Sequence, residues 1–225
     1  MSRLIRLIIP CVLLLLHAGH SRAEGEMDRY LSGLGLVDVS RRDSTLRVDI
    51  RYATPDNIIG TVLYNGITGA WLRPEAAIRL LKAQRLLRER HPSYSLLIYD
   101  AARPMSVQRL MWNTVKGTGK TNYVSNPANG GGLHNYGMAV DVTIADATGV
   151  PLPMGTPFDY FGEEAHTGNE DSLLKRGRIT REAFLNRRLL RDVMKQAGFM
   201  TIPYEWWHFN ACTRKEAILK YPLID

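Results

Sequence analysis

Two short segments of this chain make chemical sense only if they meet, and that requirement narrows the folds open to it. The first, GLHNYGMAVDV, carries His134 and Asp141; the second, EWWHF, follows about 65 residues later and carries Glu205 and His208. Two imidazoles and one carboxylate are the donors of a three-ligand catalytic zinc site, which leaves a fourth position for water. A second carboxylate, three residues before a ligand, is suited to act as base on that water. The fold must therefore bring a loop-to-strand junction and a second strand to one point, and the chemistry expected there is that of a zinc hydrolase.

Outside the first 23 residues the histidines are His91, His134, His166 and His208. A lone histidine is more often an ordinary hydrogen-bonding group than a ligand. The case for His134 and His208 rests on the two motifs together. On a strand, the three-residue spacing of Glu205 and His208 would put them on opposite faces, so a bulge or a strand end is needed between them. Of Trp206 and Trp207, one is expected in the core and one at the cleft wall, with Trp206 assigned to the substrate. Arg103 sits in DAARP, where Pro104 sets the chain direction. It either points into a cleft and stabilises negative charge on a tetrahedral intermediate, or pairs with Asp100 as a structural bridge.

Periodicity predicts a strand over 46–52 and a helix over 74–90 that Pro74 opens. Ala76, Leu80, Ala83 and Leu87 form its apolar face. A second strand spans 95–99, and a helix after Pro104 buries Val107, Leu110, Met111 and Val115. Residues 116–132 and 149–172 are loops, the first close to the site. Residues 138–144 alternate as a strand, with Asp141 opposite the Val140, Val142 and Ile144 stripe. Thr180 caps a helix to Ala197, whose face is Leu185, Leu189, Val193 and Ala197, with Gly198 as the stop. A last strand covers 204–210. Helices and strands mix without strict alternation, which predicts an α+β domain with a small, mostly antiparallel sheet flanked by helices.

Arg3 and Arg6, the apolar run from Leu7 to Leu16 and the sequence Ser21-Arg22-Ala23 read as a secretory signal cut after Ala23. The run is too short to span a bilayer comfortably. Residues 24–225 then form one domain, with no stable membrane anchor after cleavage. Loss of Arg3, Arg6 and Arg22, with no acid lost, takes the formal charge from +7 to +4. The remaining cations, such as Arg79, Lys82, Arg85 and Arg88, spread over helix faces rather than forming a stripe, so no nucleic-acid partner is expected. Cys212 is the one cysteine left, which excludes an internal disulfide; it is read as a buried small hydrophobe.

The segments DIRYATPDNIIG, YDAARP, LHNYGMAVDVT, PMGTPFDYF and EWWHF stand in the order seen in VanX-type D-alanyl-D-alanine dipeptidases. The chain resembles that family, among the hedgehog-like zinc peptidases, over roughly residues 36–212. The resemblance implies one Zn2+ held by His134, Asp141 and His208. It makes Glu205 the general base and later acid, and Arg103 the transition-state stabiliser. Asp159 is similar to the carboxylate that receives the free amino group of a D-Ala-D-Ala dipeptide. Such an acid rewards an ammonium and penalises an acylated peptide, whose amide leaves the charge unpaired. Two positions depart from the family pattern: Gly132 where Ser is common, and Ala102 where an aromatic residue is usual. Both enlarge space near the substrate and bear on selectivity. A zinc D,D- or L,D-carboxypeptidase trimming peptidoglycan stems would share every metal residue. A non-catalytic, zinc-containing wall-binding module would need neither Glu205 nor Arg103. Export implies a bacterial periplasm or cell exterior; oligomeric state is not legible in the sequence.

Overall fold

The computed structural model describes residues 25–225. The predicted signal segment lies outside the described residues. The elements in chain order are α1 (Glu26–Gly33), β1 (Val37–Asp38), β2 (Arg47–Val48), β3 (Trp71–Leu72), α2 (Pro74–Arg90), β4 (Ser95–Asp100), α3 (Met105–Val115), β5 (Ala139–Ala145), α4 (Glu170–Lys175), α5 (Arg181–Gln196), β6 (Met200–Thr201), β7 (His208–Asn210) and α6 (Arg214–Lys220). Five strands form one sheet in the order β2-β4-β5-β7-β6, and β1 pairs with β3 in a separate ribbon. Only the β2–β4 pairing is parallel. The architecture is the expected α+β one. No described helix is long and apolar enough to cross a membrane.

Helices α2 and α5 pack on each other and cover one face of the sheet. Pro74 at the first helical position of α2 sets φ where no N–H is needed, and Ala76, Leu80, Ala83 and Leu87 are all buried as predicted. Val140, Val142 and Ile144 of β5 are fully buried. Each such side chain stabilises the fold by about 1.5–3 kcal/mol. On the opposite face of β5, Asp141 lines the cleft of the site and Thr143 a neighbouring hollow.

Several sequence expectations are corrected. Residues 46–52 pair only at β2, and Arg51–Ala53 turns as a 3₁₀ segment. Leu110 is 53% exposed and Gln108 takes its place on the buried face of α3, because that face abuts the polar Arg103 and the 125 loop rather than apolar core. Thr180 does cap α5, accepting from Ala183 N at 3.0 Å. The buried arc of α5, however, is Ala183, Phe184, Arg187, Leu190, Val193 and Met194, which leaves Leu185 49% exposed. The final strand starts at His208, not at 204. α1 and α6 were not anticipated. Cys212 is only half-buried against the core.

Candidate metal centre and substrate cleft

Register builds the site. A shift between Ile98 and Asp100 sets Asp100 opposite Asp141, and Asp141 lies opposite His208. Three adjacent strands thus present Asp100, Asp141 and His208 in one row. The 3₁₀ turn Leu133–Tyr136 hangs His134 over that row, where the His134 carbonyl accepts from Arg103 N at 3.0 Å. Gly137, at φ 71, ends the turn and lets the chain enter β5.

The donor atoms of His134, Asp141 and His208 converge. His134 Nε2 lies 3.1 Å from His208 Nδ1 and 3.3 Å from Asp141 Oδ1, and His208 Nδ1 lies 3.0 Å from the same oxygen. Tetrahedral zinc with bonds of about 2.0–2.1 Å spaces its donors about 3.3 Å apart. The outer nitrogens settle which ring atoms face inward. His134 Nδ1 is 2.7 Å from the Ala101 carbonyl, which can only accept, so Nδ1 carries the proton. His208 Nε2 is 2.8 Å from Asn210 Oδ1, which accepts from it in the tautomer that leaves the Nδ1 lone pair facing inward. Two ring lone pairs and a carboxylate oxygen then face one another. They repel unless a proton or a cation sits among them, so the donor set fits one divalent ion. Without the ion the electrostatics have the same cause. Burial works against a charged His134, but Asp141 and Asp100 outweigh it and raise its pKa. Burial also opposes the Asp141 charge, and His134 and His208 overcome it, holding that carboxyl well below the usual range.

Glu205 lies in the turn just before β7, its Oε2 3.9 Å from His208 Nδ1. The strand end answers the spacing problem, since the chain is not extended between Glu205 and His208. Burial pushes Glu205 up to about 8, with the nearby Asp141 and Asp159 adding to it and His208 opposing. Arg103 fulfils both sequence readings. Its Nε and Nη2 donate to Asp100 Oδ2 at 3.1 and 2.6 Å, and Nη1 donates to Gln108 Oε1 at 3.0 Å. A guanidinium has five N–H groups, so two remain for the cleft that Arg103 lines. Burial disfavours its charge, but Asp100 outweighs that and keeps Arg103 protonated.

These residues line one cleft of about 540 Å3, together with Asp159, Tyr52, Trp207 and the loop from Thr121 to Asn126. Asp159 accepts from the Tyr52 hydroxyl at 2.8 Å, and burial pushes its carboxyl up to about 8. Its neighbour Phe158 packs against Tyr52, Tyr99 and Trp207 at ring separations of 6.0, 5.1 and 5.4 Å. Trp206 is a correction: it does not line the cleft. Its Nε1 donates to Thr156 Oγ1 at 2.8 Å beside a neighbouring hollow, and Trp207 is the cleft wall; the two rings pack edge to face, centroids 5.4 Å apart and planes at 88°. Sequence reasoning also passed over Tyr52 and Gln108. Tyr52 lies in the DIRYATPDNIIG segment; Gln108 carries no local signal.

A family model described as D-Ala-D-Ala dipeptidase, of the M15 peptidases, matches residues 32–222. The D-alanyl-D-alanine dipeptidase of Escherichia coli (strain K12) is 32% identical over 175 residues, covering 78% of this chain and 83% of that protein. The D-alanyl-D-alanine dipeptidase of Enterococcus faecium is 32% identical over 187 residues, covering 73% and 85%. A solved LD-carboxypeptidase, LdcB, overlaps 66% of this chain and 63% of its own at 19% identity and a TM-score of 0.40, too loose a likeness to bear on activity. With the family model matched from before β1 to beyond α6, this chain belongs to the D-Ala-D-Ala dipeptidase family of M15 peptidases.

Proposed function

We propose that the chain is an exported, zinc-dependent dipeptidase that hydrolyses D-Ala-D-Ala. The observation that carries this reading is the triangle of inward lone pairs on His134, Asp141 and His208, beside a half-buried Glu205. The relatives' activity supplies the substrate class. Zinc bound by the three donors would polarise the scissile carbonyl and acidify water.

The chain's own groups do the rest. Glu205 takes a proton from the attacking water. A carboxyl whose pKa burial raises above the usual value can both accept that proton and return it to the leaving amine. Arg103, which lines the cleft, holds the negative oxygen of the tetrahedral intermediate, while Asp100 and Gln108 keep the guanidinium from swinging. Asp159 receives the substrate's ammonium, and the Tyr52 hydroxyl keeps the carboxylate oriented. Phe158, the preceding residue, anchors the segment by packing on Tyr99 and Trp207.

The deciding experiment is Glu205→Gln with metal analysis. Turnover of D-Ala-D-Ala is expected to fall by about 10³-fold or more while one zinc per chain remains, since loss of a base and acid removes steps worth about 10²–10⁴ each. Near-normal turnover would remove Glu205 from the mechanism. Zinc retention with neither free nor acylated peptide hydrolysed by the wild type would favour the wall-binding reading. A preference for acylated peptides would favour the carboxypeptidase. Export is tested by sequencing the N-terminus of protein secreted from a bacterial host, where cleavage after Ala23 is expected.

A further inference from the structure

We propose that Arg187 is a positioning residue for substrate selection: from α5 it ties down both ends of the loop that presents Asp159 to the cleft. The inference rests on the reading of Asp159 as the receiver of the substrate's amino group. Arg187 Nε donates to the Met154 carbonyl at 2.6 Å, and Nη2 donates to the Glu164 carbonyl at 2.8 Å. Next to it, Asn186 Nδ2 donates to the Pro153 carbonyl at 2.8 Å. Asp159 lies midway between the two anchor points that share this one guanidinium. No helix or strand forms between them before the 3₁₀ turn Glu163–Ala165, so the loop has little regular structure with which to hold itself.

Two features say the tether acts on the site. Asp159 has φ 58, the sole non-glycine residue with positive φ among the described residues. Such a backbone persists only where the surroundings over-determine it. In addition, the Arg187 guanidinium lies 5.7 Å from the Trp206 ring, whose Nε1 holds Thr156 of the same loop. Through Trp206 the same buried cation therefore braces the amine-receiving loop at a third point, Thr156.

Arg187 is an expensive way to fill space. It is 1% exposed, and burial lowers its pKa to about 10 despite the neighbouring Glu170. Glu170 Oε1 stands 3.7 Å from Nη1, too far to hydrogen-bond, and both atoms lack a hydrogen-bond partner. An aliphatic side chain would pack there without a desolvation penalty. What it could not do is bridge two carbonyls on separate stretches of chain, which the arginine does from two different nitrogens of a rigid fork, whereas a lysine offers its donors from one nitrogen on a flexible stem.

The test is Arg187→Lys, assayed on free and N-acetylated D-Ala-D-Ala with Asp159→Asn in parallel. With Arg187→Lys, kcat/KM for the free dipeptide is expected to fall about 10-fold, mainly through KM, since misplacement of a positioned group by an ångström carries such losses. The acetylated substrate should change by less than about 2-fold, having no ammonium to lose. Bound zinc per chain should stay the same. A merely structural role would lower both substrates in proportion and leave their ratio unchanged, which overturns the inference. If Asp159→Asn collapses the ratio and Arg187→Lys does not, the inference alone fails. If Asp159→Asn leaves the ratio intact, the reading of Asp159 fails and the inference with it. Should Arg187→Lys not fold, Asn186→Ala releases the adjoining Pro153 carbonyl and should lower the same ratio about 3-fold, as loss of roughly one hydrogen bond's worth of restraint; an unchanged ratio there overturns the tether.

Discussion

Replacing Asp159 by Asn isolates the charge at the amine end of the cleft. Asn tolerates the positive φ of 58 at this position, and its amide oxygen can still accept from Tyr52, now at 2.8 Å from the carboxylate. Shape is kept and charge is lost. An ammonium about 4 Å from the carboxylate gains about 4 kcal/mol at an effective dielectric of 20. Against this stands the cost of ionising the group. With its carboxyl pushed up to about 8, Asp159 is mostly protonated at pH 7. Ionising it there costs about 1.4 kcal/mol, one pKa unit's worth. The net is about 2–3 kcal/mol, or roughly 10²-fold in kcat/KM. Steady-state kinetics on D-Ala-D-Ala and its N-acetyl form give the answer. The variant should lose about 10²-fold on the free dipeptide and little on the acylated one. A loss below about 3-fold, or equal losses on both, would refute the charge argument and with it the assignment of Asp159 to the substrate amine.

Other expectations follow from the same geometry. His208→Ala removes one of three donors and should release zinc during dialysis, read by metal content; a variant that keeps stoichiometric zinc would dissolve the proposed triad. In the metal-free protein, Glu205 and Asp159 both have raised pKa values, to about 8. The folded state therefore holds protons that the unfolded state has released. Their stabilising contribution is complete below about pH 4 and is lost as pH rises to 8, at up to about 1.4 kcal/mol per pH unit per group. Urea midpoints of chelator-treated protein should fall between pH 5 and 8, and a midpoint that rises would contradict it. Asp28 is buried and accepts from Thr68 N, Thr68 Oγ1 and Trp71 Nε1. Burial alone would raise its pKa, yet these bonds outweigh it and lower it, so its contribution is lost in acid. Asp28→Ala should destabilise by about 2–4 kcal/mol, since several buried donors lose their acceptor; a urea midpoint close to wild type would refute this.

The donor residues were legible in the chain because chemistry restricts identity. Few side chains other than His, Asp, Glu and Cys bind a metal ion, and short spacings of them stand out against a background of ordinary residues. Helix α2 was legible for a similar reason, as Pro74 and a regular apolar face report local physics. What the chain could not reveal is what packs against each face. Gln108 rather than Leu110 turns inward on α3 because a buried arginine and a loop carbonyl await it there. Arg187 sits in the buried arc of α5, a place a hydrophobicity pattern gives to an apolar residue, because carbonyls from a distant loop need donors. Trp207 and not Trp206 walls the cleft because β7 begins at His208 and the turn before it sets the two rings edge to face, with Trp206 held on Thr156.

The sequence by itself thus determined which atoms can hold an ion and move a proton, since that depends on functional groups. Tertiary structure alone decided that Asp100, Asp141 and His208 align across three strands and that His134 closes the triangle above them. Register between strands far apart in the chain is set by how whole faces are buried, and no local stretch of residues carries that information.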